Sequence, residues 1–149
     1  MIYRLMKRQD DEDIPHIVFV YRLPSVSRFI SIDETNYWTY VTTTDNVYFY
    51  KVFEDDVLIA TTHLELIDRT LYMDVVVFPE FQKRGIATNI VNDIQAGKLG
   101  ADFDKIAVSI DAHNIASLQL FENAGFICVA KDGELLEYEY TKGCQHAME

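Results

Sequence analysis

The sequence predicts a mixed α/β (α+β) protein with a mostly antiparallel central sheet of six to seven strands and helices on both faces. Three observations lead there. Val47 to Phe53, Val57 to Leu66 and Leu71 to Val77 are apolar runs separated only by Glu54-Asp55-Asp56 and Ile67-Asp68-Arg69-Thr70, the spacing of an antiparallel meander. Ile14, Ile17, Val18 and Tyr21 recur at i, i+3, i+4, i+7, and Ile86, Ile90 and Ile94 form a second apolar stripe, so each run marks an amphipathic helix. Phe126 to Ala130 and Glu134 to Thr141 flank Asp132-Gly133 as the arms of a hairpin. Elements in this order give a mixed sheet covered by helices.

Taken along the chain, Ile2 to Met6 reads as a short first strand. The acidic run Asp10 to Asp13 suits the start of the helix that follows, and Pro15 fits its first turn. Pro24 closes that helix. Ser25 to Asp45 is irregular, a second helix and a loop with Tyr37, Trp38 and Tyr40 among polar residues. The meander follows. In the helix after it Asn89, Asn92, Asp93 and Gln95 face water, Gly100 is the expected end, and Gly97 costs about 1 kcal/mol relative to alanine, so fraying from Gly97 is the alternative. Lys105 to Ile110 alternates as a strand, with Ile106, Val108 and Ile110 on one face. Asn114 caps a helix from Ile115 to Ala124 that Gly125 ends. Tyr138 and Tyr140 share one face of the last strand, and residues 142–149 lack periodicity and read as a loose tail.

A chain of 149 residues supports one domain with its own core, spanning residues 1–149. No apolar run approaches the roughly 18 residues of a membrane span, and Met1 to Arg8 lacks the apolar block of a signal peptide, so a soluble, cytoplasmic protein without a membrane partner is expected. The net charge of -11 and pI near 4.7 argue against a nucleic-acid surface, which needs clustered Lys and Arg. That sign favours cationic substrates. Cys128 and Cys144 make no disulfide framework, and the scattered His16, His63, His113 and His146 offer no metal-site spacing, so no metal is expected.

The stretch Val75-Val76-Val77-Phe78-Pro79-Glu80-Phe81-Gln82-Lys83-Arg84-Gly85-Ile86-Ala87 organises the chain. An apolar strand passes through a proline and a polar loop into a helix. Pro79 removes a ladder donor, and Gly85 lets backbone approach a ligand that a side chain would hold off. The amides from Lys83 to Thr88 then face outward at a helix start, where unpaired N-H groups and the positive end of the dipole favour a pyrophosphate. Lys83 and Arg84 add full charges.

After one helix and one strand comes a second motif, Asn114-x-x-Ser117-x-x-Leu120-Phe121-x-x-x-Gly125-Phe126. Gln82-x-x-Gly85-x-Ala87 and this motif, in this order and spacing, resemble the GNAT superfamily of acyl-CoA-dependent N-acetyltransferases over residues 57–140. The resemblance implies that acetyl-CoA is the acyl donor. It implies cofactor contacts from Val75, Val76, Val77, Gln82, Lys83, Arg84, Gly85, Ile86, Ala87, Thr88, Asn114, Ser117 and Phe121, with Asn114 on pantetheine or an ordered water and Ser117 reaching toward the phosphates. In such proteins the strands matching Leu71 to Val77 and Lys105 to Ile110 splay apart, and the pantetheine arm pairs with the first of them as an added strand would. The thioester then lies near Val75 and Val76, where a backbone N-H can stabilise the oxyanion by about 3 to 4 kcal/mol. Ser25 to Asp45 would help form the acceptor wall.

An ammonium must lose a proton before it attacks, so a base is needed. Asp74 and Glu65 are the first candidates with His63, followed by Asp111 and His113, and an ordinary salt bridge is the competing role of each. The family often protonates the leaving thiolate with a tyrosine at the position of Phe121, which has no proton to give; Tyr72, Tyr138 or a water are substitutes. The expected activity is acetyl transfer to a primary amine of a small molecule or peptide, with Asp74, Glu65 and Asn114 as catalytic candidates. A non-catalytic acyl-CoA-binding or interaction module is the alternative. A P-loop enzyme is disfavoured because Gly85 is not followed by Lys-Ser/Thr. Homodimers are common in proteins of this kind, and the sequence fixes no interface.

Overall fold

The computed structural model describes residues 1–143. Of the expected tail, 142–149, residues 144–149 with Cys144 and His146 lie outside the described residues, while the Lys142 amide donates to the Asp104 carbonyl at 2.8 Å. Seven strands hydrogen-bond in the order β1-β2-β3-β4-β5-β7-β6. They are β1 (Ile2–Leu5), β2 (Val47–Glu54), β3 (Val57–Ile67), β4 (Thr70–Val77), β5 (Lys105–Asp111), β6 (Ile127–Asp132) and β7 (Leu135–Thr141), with helices α1 (Ile14–Tyr21), α2 (Pro24–Ser27), α3 (Tyr37–Thr43), α4 (Ile86–Gln95) and α5 (Ile115–Asn123). The sheet is mixed and mostly antiparallel, as the sequence predicts. β4 and β5 are parallel, and their register pairs only Thr70–Tyr72 with Lys105–Ala107. Both strands run on beyond it.

The hairpins of the meander turn on Asp55-Asp56 and Asp68-Arg69, all four with positive φ. A two-residue turn with two left-handed positions matches the twist of its strands, and aspartate tolerates that region better than most residues. Arg69 does not. It is held by ion pairs to Asp102 (3.3 Å) and Asp104 (3.0 Å), and its carbonyl accepts the amide of Asp104 at 2.8 Å. Two further boundaries differ from expectation. Pro24 does close α1 but also opens α2, and α4 ends at Gln95, short of Gly100 and at the alternative end by Gly97, which takes the left-handed conformation just beyond it.

By their contacts the residues divide into two compact units, one of Met1–Leu64 with Val75–Arg84 and one of Glu65–Asp74 with Gly85–Glu149. The first has a core of Met6, Ile17, Val20, Tyr21, Trp38, Phe49 and Phe78 among others, with Trp38 edge-on to Phe49 at 5.3 Å. Two tyrosine hydroxyls fasten helices to β3: Tyr21 bonds Thr61 at 2.6 Å and Tyr37 bonds Nδ1 of His63 at 2.5 Å. Lys51, only 8 % exposed, reaches Asp11 and Asp13 at 2.8 Å each. The acidic run before α1 therefore does more than suit a helix start. Asp13 occupies the N-cap position without a side-chain cap bond, and its carboxylate is used on Lys51 instead.

In the second unit, α4 buries Ile86, Ile90, Val91 and Ile94. The inner face of β5 pairs with β7 as Ile106 with Tyr140, Val108 with Tyr138 and Ile110 with Leu136. Phe126 joins Phe121 (5.0 Å) to Tyr140 (5.6 Å), and Gln95 Nε2 donates to the Ala124 carbonyl at 2.8 Å, tying α4 to the end of α5.

Burial pushes the pKa of the Lys51 ammonium down, and the hydrogen bonds it donates to Asp11 and Asp13 overcome this, leaving the pKa raised. A raised lysine stabilises the fold fully below the unfolded value of about 10.4, and that contribution is lost as pH rises through the folded value. Lys51→Met should lower the unfolding free energy by about 3 kcal/mol, the low end for breaking a buried ion pair. Urea denaturation across pH should show the gap between wild type and variant constant from pH 7 to about 10 and shrinking above.

Candidate functional site

The junction predicted to hold phosphates is built from three local devices. Phe78 still pairs with β3, its amide donating to Ile59 at 2.9 Å, and Pro79 to Phe81 then form one turn of 3-10 helix. Gln82 turns its side chain back, Nε2 donating to the Val77 carbonyl at 3.1 Å, which fixes the loop on the strand end. Lys83 (φ 65°) and Gly85 (φ 76°) are left-handed on either side of Arg84. Successive residues of alternating hand are the backbone pattern from which anion-binding nests are made.

Gly85 is the N-cap of α4, and no side chain caps the helix. Its carbonyl accepts from Asn89 at 3.0 Å, so α4 is fully wound from Ile86. The first-turn amides of Ile86, Ala87 and Thr88 carry the dipole's positive end without a capping oxygen. Arg84 lies over the Phe81 ring at 5.6 Å, a contact that holds the guanidinium beside the loop. A Cβ at Gly85 would meet nothing within 4 Å, so glycine is demanded there by backbone conformation and not by crowding within the chain.

Upstream, Val76 is buried while Asp74, Val75 and Val77 are half-buried. Buried side chains in β4 change parity, from Leu71 and Met73 to Val76 and Phe78, so the two-residue alternation breaks around Asp74-Val75. The run of three valines gives no sign of this in sequence. Glu65 and His63 are half-buried on β3. In the second motif Asn114 caps α5 by accepting the Ser117 amide at 3.3 Å. Phe121 is buried against Phe126.

Tyr72 is exposed on β4. Tyr138 is buried and donates its hydroxyl proton to Glu122 at 2.8 Å, and that bond with desolvation raises its pKa. Its proton is committed. Sequence reasoning missed Glu134, which stands 3.7 Å from His113 Nδ1; the pairing that sets Asp111 opposite Leu135 brings it there, and no sequence signal announces that register. In the first unit a cavity of about 240 Å³ is lined by Tyr21 and Arg22 and, from the stretch expected to help form the acceptor wall, by Ser27, Ile30, Ile32 and Glu34, the last paired with Arg22. Among the described residues no cluster of His, Cys, Asp and Glu could hold a metal, and no helix is long and apolar enough to cross a membrane.

The model of the acetyltransferase (GNAT) family matches residues 15–126, and the chain belongs to that family. No curated protein matches significantly. Among solved structures, a domain from Methanocaldococcus jannaschii is similar with TM-score 0.78 at 15% identity, covering 94% of this chain and 97% of that one. Spermidine N-acetyltransferase from Vibrio cholerae, in complex with CoA and spermine, gives 0.77 at 17% identity over 95% of each chain. The N-acetyltransferase PseH of Campylobacter jejuni, in complex with acetyl coenzyme A, gives 0.73 at 11% identity over 95% of this chain and 99% of that one. At these identities the likeness is one of fold.

Asn114→Ala should lower stability by about 1 kcal/mol through loss of the α5 cap, and Asn114→Asp should retain most of it. Thermal unfolding of the two variants side by side checks this.

Proposed function

We propose that this protein transfers an acetyl group from acetyl-CoA to a primary amine of a small molecule or peptide, by direct attack through a tetrahedral adduct. The observation that carries this reading is the uncapped start of α4 behind a loop of alternating hand, with Lys83 and Arg84 beside it. The uncapped first-turn amides of Ile86, Ala87 and Thr88 and two cations suit a pyrophosphate better than any neutral group. Family membership and relatives that bind CoA or acetyl coenzyme A support the choice of donor.

In this reading the pantetheine amides pair with Val75 to Val77, Asn114 and Ser117 contact the donor from α5, and the thioester carbonyl meets a backbone N-H near Val75. The amine nitrogen attacks the carbonyl carbon, the C–S bond breaks, and the thiolate leaves with the electron pair. The formal charge of -11 favours a cationic acceptor. A second reading, a non-catalytic acyl-CoA-binding module, is favoured by one observation: Phe121 is buried and Tyr138 is tied to Glu122, so neither supplies the family's acid.

Calorimetric titration with acetyl-CoA and with CoA, on wild type and Gly85→Glu, tests the donor site. Wild type should bind both and the variant, folded by circular dichroism, neither. Absence of binding in wild type contradicts the proposal. Thiol release with at least one member of an amine panel establishes transfer; binding with silence across the panel leaves the binding module as the function.

A further inference from the structure

At the end of β5, between the strand and the α5 cap, one carboxylate organises an imidazole. Asp111 Oδ1 accepts the backbone amide of His113 at 2.8 Å and also contacts the His113 ring at Nδ1, 3.0 Å away. The Asn114 amide bonds the Asp111 carbonyl at 2.9 Å, so the turn carrying the ring is closed at both ends before Asn114 caps α5. Glu134, from the turn between β6 and β7, adds a second carboxylate 3.7 Å from Nδ1, and the neighbouring Ala112 amide bonds the Glu134 carbonyl at 2.7 Å. An ionised carboxylate only accepts hydrogen bonds, so Nδ1 carries the proton and Nε2 the lone pair. Among the described residues no hydrogen bond engages Nε2, and the His113 side chain is 57% exposed. A histidine held at Nδ1 by an aspartate with Nε2 open is the arrangement of a general base.

We propose that Asp111 and His113 form the proton-accepting pair of this protein, Asp111 positioning the ring and His113 Nε2 taking a proton from the acceptor ammonium. This rests on the acetyl-transfer reading. Nε2 removes one ammonium proton and passes it to solvent. The nitrogen lone pair forms the C–N bond, the C–S bond breaks with its electrons on sulfur, and the second proton, lost from the adduct nitrogen, neutralises the thiolate. An imidazole suits the task better than an ordinary carboxylate, because proton transfer is most efficient when the base titrates near the working pH. Among the described residues, Asp111 and Glu134 are the charged groups whose contacts with the ring are seen, at 3.0 and 3.7 Å from Nδ1.

The test is the pH profile of kcat/KM for thiol release, with an amine that wild type accepts, for His113→Ala, Asp111→Asn and Glu134→Gln. His113→Ala should fall by about 10²-fold or more and lose the acidic limb, while acetyl-CoA binding by calorimetry stays within about threefold; added imidazole should restore activity, which a merely structural role would not permit. Asp111→Asn can present an amide donor to Nδ1 and reverse the tautomer, so a similar loss without rescue by imidazole is expected. Glu134→Gln leaves Asp111 on Nδ1 and should cost less in rate than either of the other two changes. A wild type that releases thiol while His113→Ala keeps its rate within about threefold and its acidic limb overturns the pair alone. A wild type that releases no thiol with any amine overturns the acetyl-transfer reading, and the pair's role with it.

Discussion

The functional reading depends on one constraint, that the chain pass from β4 into α4 without covering the helix start. A side-chain cap at Gly85 would satisfy the first-turn amides and block them together. Glycine at that position, left-handed and bare, keeps them available. Lys83 takes the same unfavourable region without glycine's freedom, a cost on the order of 1 kcal/mol. The cost is offset by anchors at each end: Phe78 buried in the first unit's core with its amide on Ile59, Gln82 bonded to Val77, and Ile86 and Ile90 buried in the second unit. Strain held by packed neighbours is what gives the loop one conformation.

The magnitudes also decide whether Phe121 excludes catalysis. A general acid is worth about 10²- to 10⁴-fold, or about 3 to 5 kcal/mol, whereas holding amine and thioester in line contributes about 7 to 11 kcal/mol. A thiol with a pKa near cysteine's leaves readily as the thiolate. Loss of the tyrosine therefore slows such a reaction without abolishing it. Removing a proton from the incoming ammonium is the harder demand, and Asp111–His113 is a pair with the geometry for it.

Signals confined to neighbouring residues were legible in the sequence. The meander, both amphipathic stripes, the Pro79-to-Gly85 junction and the Asn114 cap all stand within a few residues of where they are expected. Long-range polar contacts were not. Lys51 finds Asp11 and Asp13 across about 40 residues, and Tyr21 finds Thr61 across as many, with no periodicity to announce either. The parity change in β4 is hidden because three successive valines look alike on either face. Asp111 and His113 were visible as separate candidates; the single oxygen that joins ring to backbone is a property of the turn, which spacing alone does not specify.

The most direct measurement is an amide nitrogen–proton correlation spectrum of the full chain titrated with CoA and, separately, with pantetheine, which lacks the phosphates. CoA should shift the amides of residues 83–88 most strongly and pantetheine should leave them in place while moving those of residues 75–77. Unmoved amides from 83 to 88 at saturating CoA would contradict the account, because no phosphate would then sit at the start of α4.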